Sequence, residues 1–288
     1  ARNGVVSGAM KKVAQKEGLD PQTVRDHIAE GSIVIPANVF HKHVNPTGIG
    51  KSLRIKVNAN IGTSRDHIDL DEELEKLEIA VTSGADAVMD LSTGGHAAHI
   101  RKTLLTASKL PFGTVPIYQA AVETAAKQGG IIHLTPDILF DVVEEQAKDG
   151  VDFMTIHCGV TLKALERLRL QGRVTDIVSR GGAFLTAWML HHGKENPFYA
   201  EFDRLLSIAH KYDVTLSLGD GLRPGCLADA TDRAQVHELL TLGELTKTAW
   251  EANVQVMIEG PGHVPLDQIE ANVVLEKKLC HGAPFYVL

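Results

Sequence analysis

The sequence predicts an α/β protein of the (β/α)8 barrel class, and three observations carry that prediction. Short apolar runs alternate with amphipathic stretches of helical period, the pattern of parallel strands covered by helices. Polar residues and glycines recur at the C-terminal ends of those runs, the ends that converge on one mouth in a barrel. No Gly-x-Gly-x-x-Gly follows the first run, which lowers the open dinucleotide-binding sheet as the alternative. A chain of 288 residues that is 44% apolar and 23% charged can bury one large core.

The elements follow in order. Residues 1–39 read as a helical lead-in, in which Asp20 caps, Pro21 takes the first helical position, Val24 and Ile28 face inward and Gly31 stops the helix. Residues 40–288 read as the barrel. Its first strand is Arg54 to Gly62, followed by a helix capped by Asp69, with Leu70, Leu74, Leu77 and Val81 at helical spacing as far as Gly84. Further strands are predicted over Ala87–Ser92, Thr114–Gln119, Phe153–Gly159, Asp176–Gly182 and Val214 onward into the Asp220-Gly221-Leu222-Arg223 turn. The strand Thr114–Gln119 leads to a helix beginning Thr135-Pro136-Asp137. Val256-Met257-Ile258 forms the seventh strand and runs into Glu259-Gly260-Pro261-Gly262-His263; Phe285 to Leu288 forms the eighth. The final helix of such a barrel is not among these residues.

Composition excludes several classes. A net charge of −7 without a Lys/Arg-rich run argues against nucleic acid as partner. No apolar run approaches a membrane span and no signal-peptide pattern is present, so no membrane partner and a cytoplasmic location are expected. Cys158, Cys226 and Cys280 are odd in number and widely spaced, which suits a reducing compartment. Cys158 and His157 point to opposite faces as neighbours in a strand, so they do not form a nucleophile and base pair.

A barrel mouth would gather Asn60, Met89, Asp90, Tyr118, His157, Ser179, Arg180, Asp220, Arg223, Glu259, His263 and Tyr286. Ser179-Arg180-Gly181-Gly182 offers a hydroxyl, a guanidinium and glycines that let amides approach an anion, a set suited to phosphate. Asp220-Gly221-Leu222-Arg223 adds a second arginine and a carboxylate suited to ribose hydroxyls. Glu259 and His263, across a Gly-Pro-Gly turn, suit acid/base work, a shared metal or the tying of a loop. One histidine alone is too few for a metal site.

The strings VNANIGTS, VMDLSTGG, GTVPIYQA, DFMTIHCGVT, VSRGG, SLGDGLRPG, LGELTK, VMIEGPGHVP and APFYVL resemble the phosphomethylpyrimidine synthase family of thiamine biosynthesis, along nearly the whole chain. The resemblance implies a radical S-adenosylmethionine lyase that converts 5-aminoimidazole ribotide to 4-amino-5-hydroxymethyl-2-methylpyrimidine phosphate. It implies S-adenosylmethionine and a 4Fe-4S cluster as cofactors, and a homodimer is expected. Substrate contacts are implied at Asn60, Met89, Tyr118, His157, Ser179, Arg180, Gly181, Asp220, Gly221, Leu222, Arg223, Glu259 and Tyr286, with Glu259 and Asp220 as the catalytic carboxylates. His263 is implied as a ligand of a separate metal, zinc or another divalent ion. The second metal ligand and the family's Cys-x-x-Cys-x4-Cys cluster motif are not found in residues 1–288, so the sequence reads as a barrel without its cluster domain. The sister 5-hydroxybenzimidazole synthases of anaerobic cobamide synthesis share the ribotide and nearly all these motifs and stand as an alternative. A catalytically incomplete ribotide-binding barrel is a further one.

Overall fold

Local signals start and stop the first helices of this computed structural model, which describes residues 1–288. The Ser7 side chain accepts the Met10 amide to open α1 (Gly8–Glu17), and the Asp20 carboxylate accepts those of Gln22 and Thr23 to open α2 (Pro21–Glu30). Gly31 ends α2 with φ 83°, a left-handed conformation that favours glycine. Val13, Ala14, Val24 and Ile35 bury one another between the two helices. The short antiparallel strands β1 (Ile33–Val34) and β2 (Ile49–Gly50) then carry the lead-in's structure to residue 50. Three hydrogen bonds, the last two buried, fasten it to the barrel: the Ile35 amide to Gln255 (2.8 Å), the Asn38 amide to Asp152 (2.8 Å) and His41 Nδ1 to Asp152 (2.7 Å).

The barrel proper is one parallel sheet whose strands pair in sequence order: β3 (Asn58–Ile61), β4 (Ala87–Asp90), β5 (Phe112–Thr114), β6 (Phe153–Ile156), β7 (Thr215–Leu218), β8 (Val256–Gly260) and β9 (Phe285–Val287). Ten helices intervene: α3 (Leu70–Thr82), α4 (Ala97–Ala107), α5 (Pro116–Gln128), α6 (Pro136–Asp149), α7 (Leu162–Gln171), α8 (Arg180–His192), α9 (Pro197–Ala200), α10 (Phe202–Tyr212), α11 (Arg233–Glu251) and α12 (Ile269–Leu279). The sheet register pairs Asn60 with Met89, Thr155 with Ser217 and Glu259 with Tyr286. Because side chains alternate across a strand, these six share the inner face. Val88, on the other face, packs with Leu77 and Leu104 under the helices.

Two expected strands differ. Asp176–Gly182 does not join the sheet; β6 pairs directly with β7 from Phe153↔Thr215 to Ile156↔Leu218. Asp176 adopts φ 53°, which interrupts an extended run, and the Asp229 carboxylate takes the amides of Val174 (2.8 Å) and Thr175 (2.9 Å). Val174 and Val178 are exposed, so the apolar pattern there buries little. The third strand is shorter than expected, because Pro116 is the first residue of α5 and places Ile117, Tyr118 and Gln119 on a helix.

The expected eight strands are therefore seven, and the sheet is a curled, partial barrel in which β3 and β9 do not pair. Across that seam Asn58 Nδ2 donates to the Tyr286 hydroxyl (3.0 Å). A cavity of about 940 Å³ opens there, with Asn60, Phe153, Met257 and Tyr286 in its wall. No helix is long and apolar enough to cross a membrane.

Candidate functional site

The site is built at the C-terminal ends of β6, β7 and β8, around Glu259. Glu259 is buried on the inner face of β8, and its Oε1 accepts hydrogen bonds from Thr155 Oγ1 on β6 (2.6 Å) and Ser217 Oγ on β7 (3.1 Å). One carboxylate oxygen is thus satisfied by the scaffold. The other, Oε2, lies over Gly219, where an added β-carbon would stand 3.3 Å from it and 3.1 Å from His157 Cδ2. Gly219 therefore leaves open the space between the carboxylate and the imidazole.

Asp220 follows and is also buried. Its Oδ1 accepts from Arg223 Nη1 (3.1 Å), while Oδ2 is buried without any partner. An orphaned buried carboxylate oxygen is costly, and a ligand donor is the kind of group that would satisfy it. Burial pushes the carboxyls of both Asp220 and Glu259 above their usual range; for Asp220 the Glu259 charge adds to this, while Arg223 opposes it.

His157, just beyond β6, is buried and its Nδ1 has no partner. Burial, then the Arg223 charge, lowers its pKa to about 3, so the ring is neutral and presents an unused nitrogen. Gly181 lies against this ring: a β-carbon there would stand 2.4 Å from His157 Cε1. Ser179 caps α8 by accepting the Gly182 amide (3.2 Å). The Arg180 and Gly181 amides are then the first two of the helix, with no preceding turn to bond them. The Arg180 guanidinium has no carboxylate partner and stands 4.8 Å above the Tyr118 ring. A helix N-terminus and a free guanidinium make this the electropositive end of the site.

Tyr118 and Tyr286 complete the wall. Burial raises both phenols; the Glu259 charge helps push Tyr286 up to about 12, while Arg180 and Arg223 pull Tyr118 the other way. The fold thus brings together Tyr118, His157, Ser179, Arg180, Gly181, Asp220, Arg223, Glu259 and Tyr286. Asn60 and Met89 share the inner face further round the sheet, Met89 buried and Asn60 exposed and accepting from Asn58 (2.9 Å). Asp90 turns to its own loop, accepting the Ser92 amide (2.9 Å) and hydroxyl (2.5 Å).

Gly221 and Leu222 are placed differently from a free anion-binding turn. Their amides donate to the two oxygens of Glu238, each at 2.8 Å, and the Leu222 side chain is fully buried. Sequence reasoning also missed Thr155, Ser217 and Asn58. The two-residue alternation back from His157, Gly219 and Asn60 is the signal that would have found them.

The metal expectations do not close within this chain. His263 is exposed in the loop after β8, and no three His, Cys, Asp or Glu side chains gather as a metal would need. Cys158 and Cys280 are buried, Cys226 is half-buried and all three are free, so they do not supply the cysteine set of a 4Fe-4S cluster.

The whole chain, residues 1–288, matches the model described as the Radical SAM ThiC family. It is 62% identical over 288 residues to the phosphomethylpyrimidine synthase of Desulforamulus reducens, covering 100% of this chain and 67% of that protein. With the same coverage it is 60% identical to the enzymes of that name from Moorella thermoacetica and Dehalococcoides mccartyi. A radical SAM family implies S-adenosylmethionine and a 4Fe-4S cluster. With a match from Ala1 to Leu288 and relatives at this identity, the chain belongs to the Radical SAM ThiC family.

Proposed function

We propose that this chain is the ribotide-binding barrel of a phosphomethylpyrimidine synthase, a lyase that converts 5-aminoimidazole ribotide to 4-amino-5-hydroxymethyl-2-methylpyrimidine phosphate. The observation that carries the reading is the polarity of the site. The free Arg180 guanidinium at the α8 N-terminus forms one end, and Asp220 and Glu259, with Arg223 paired to Asp220, form the other; the His157 ring lies against both Gly181 and Gly219, with its Nδ1 unpartnered. That order matches a ligand with a phosphate at one end and ribose hydroxyls and ring amines at the other.

In this reading, Arg180 and the amides of Arg180 and Gly181 hold the phosphate. The free Oδ2 of Asp220 and Oε2 of Glu259 accept from ribose hydroxyls or the ring amine. Neutral His157 gives or takes a hydrogen bond without adding charge. Tyr118 and Tyr286 exclude water from the flanks. S-adenosylmethionine and the cluster supply the radical chemistry when bound. The contribution of this chain is to fix the ribotide in one pose so that a single carbon is presented. Asn60 and Met89 belong to the outer part of the same contact set, Gly221 and Leu222 shape the turn that carries Asp220 and Arg223, and His263 is a candidate ligand of a zinc or other divalent ion.

Anaerobic reconstitution of the longest natural gene product that carries these residues, with ribotide and S-adenosylmethionine and mass spectrometry of the product, tests the assignment. A pyrimidine phosphate is expected. A benzimidazole product replaces the reading with that of the sister synthase, and tight ribotide binding without S-adenosylmethionine cleavage reduces it to a binding barrel.

A further inference from the structure

The Asp220–Arg223 turn is gripped from behind by charges that never reach the mouth. The turn is closed by the Arg223 amide donating to the Asp220 carbonyl (3.2 Å). Its two central amides, those of Gly221 and Leu222, would ordinarily point to solvent or to a ligand. Here each is taken, at 2.8 Å, by one oxygen of Glu238 on α11, a side chain 2% exposed. The carbonyls of the same turn meet a cation: the buried Arg173 guanidinium donates to Leu222 O (2.5 Å) and Arg223 O (3.1 Å). Arg173 is held in its turn by both oxygens of Asp232 (2.7 and 2.9 Å), which also caps α11 through the Gln235 amide (2.8 Å).

Steric contacts leave the turn no room to relax elsewhere. A β-carbon at Gly182 would stand 2.1 Å from Gly221 O, and one at Gly221 would stand 2.3 Å from Val160 Cγ2. The turn is therefore enclosed by α8, by Val160 and by the Glu238 and Arg173 pair. A carboxylate on the amides and a guanidinium on the carbonyls fix the orientation of successive peptide planes. Those planes set the directions of the Asp220 and Arg223 side chains. Both oxygens of Glu238 are used and buried, so it does not touch a ligand itself and acts through the turn it holds.

Building on the ribotide reading above, we propose that Glu238 is a positioning residue that aims Asp220 and Arg223 into the site, with Arg173 as its counterpart on the carbonyl side. Glu238→Gln keeps the volume but replaces one acceptor with an amino group that faces an amide donor. In so enclosed a turn, that conflict leaves one amide unmet or strains the peptide planes that aim Asp220 and Arg223.

The test is calorimetric titration of the full chain with 5-aminoimidazole ribotide, using wild type, E238Q, R223A and the double variant, with thermal unfolding of each. E238Q is expected to weaken binding about tenfold, the scale of one buried donor left unmet. In the R223A background the same change is expected to cost less, about threefold, because one of the two residues through which it acts is gone. An equal tenfold loss in both backgrounds makes Glu238 a general structural residue and overturns the proposal, as does E238Q binding like wild type. If E238Q does not fold, R173K is read by the same cycle and the same criteria. Wild type that fails to bind ribotide overturns the underlying ribotide assignment, and the proposal with it, whereas wild-type binding that E238Q leaves unchanged overturns the proposal alone.

Discussion

Arg180→Ala separates a phosphate contact from general damage to the site, because Arg180 is unusually free of other work. It is exposed, makes no hydrogen bond or ion pair within the protein, and touches only the Tyr118 face, 4.8 Å from the ring centre. Its removal leaves no buried partner unpaired, so thermal unfolding should move by no more than the small change typical of surface substitutions, about 0.5 kcal/mol. The guanidinium's contribution to a bound phosphate should instead appear in affinity. A charged hydrogen bond contributes about 1.5–3 kcal/mol, or roughly 10- to 140-fold in Kd. The α8 amides remain in the variant and hold part of the phosphate, which favours the lower half of that range. The assay is a pair of titrations, one with the ribotide and one with the phosphate-free nucleoside, each against wild type and variant at fixed salt. Only ribotide binding should fall. Equal weakening of both ligands would show that Arg180 supports the ring or ribose through Tyr118, and would refute the assignment of the electropositive end.

Three other perturbations follow from the same geometry. Thr155→Val removes the shorter of the two hydroxyls on Glu259 Oε1; losing this donor should weaken ribotide binding by about 1.5 kcal/mol and raise the carboxyl pKa further, moving the acid limb of the pH profile to higher pH. An unmoved limb would remove Glu259 from the ionised role. Gly181→Ala forces a methyl onto the His157 ring, which it would approach to 2.4 Å, and should cost about 1–3 kcal/mol of stability by urea unfolding, with loss of ribotide binding. A variant that binds normally would mean that α8 can move away from β6. His41→Ala removes a ring whose two nitrogens face acceptors, Asp152 (2.7 Å) and the Ser108 carbonyl (3.0 Å), and should destabilise by about 3 kcal/mol at low pH. Burial opposes the charged ring, but the Asp152 bond and charge, with Ser108, outweigh it and raise the His41 pKa. That contribution is complete below about pH 6.5 and is lost as pH rises through the folded pKa, so the gap between wild type and variant should shrink from pH 5.5 to pH 8.5. A gap that stays level or widens refutes the charged-ring reading.

Most of this architecture is legible in the sequence wherever a local signal and a buried face agree. Asp69 opens α3 by accepting the Glu72 amide, and Thr135 opens α6 by accepting that of Ile138, as their positions before apolar periods suggest. Strand ends that carry Glu259, Asp220 and His157 could be read as a mouth because parallel strands in a barrel all end on one side. Failures occur where a local signal has two meanings. Pro116 inside an apolar run looked like part of a strand, yet a residue without an amide hydrogen serves better at the start of α5. Val174, Ile177 and Val178 have strand composition, but what that stretch bonds to is Asp229, more than fifty residues away, and no periodicity announces a carboxylate reaching back across a loop.

The same distinction explains which parts of the site were found. Residues that face a ligand sit at strand ends and in glycine turns, and those positions stand out from the apolar pattern around them. Residues that aim them do not. Thr155 and Ser217 look like ordinary polar interruptions in buried strands, and Glu238 and Arg173 like ordinary charges on or beside helices, until the fold places them against Glu259 and the Asp220–Arg223 turn. Their burial is the physical clue. A fully buried carboxylate or guanidinium is costly unless every polar atom is answered; for Glu238 the answers are amides of the turn that carries Asp220 and Arg223, and for Arg173 they are the Asp232 carboxylate and carbonyls of the same turn. A substitution that relieves the buried charge should therefore be tolerated by the core far better than by the ligand site, and the E238Q and R223A cycle measures that asymmetry directly.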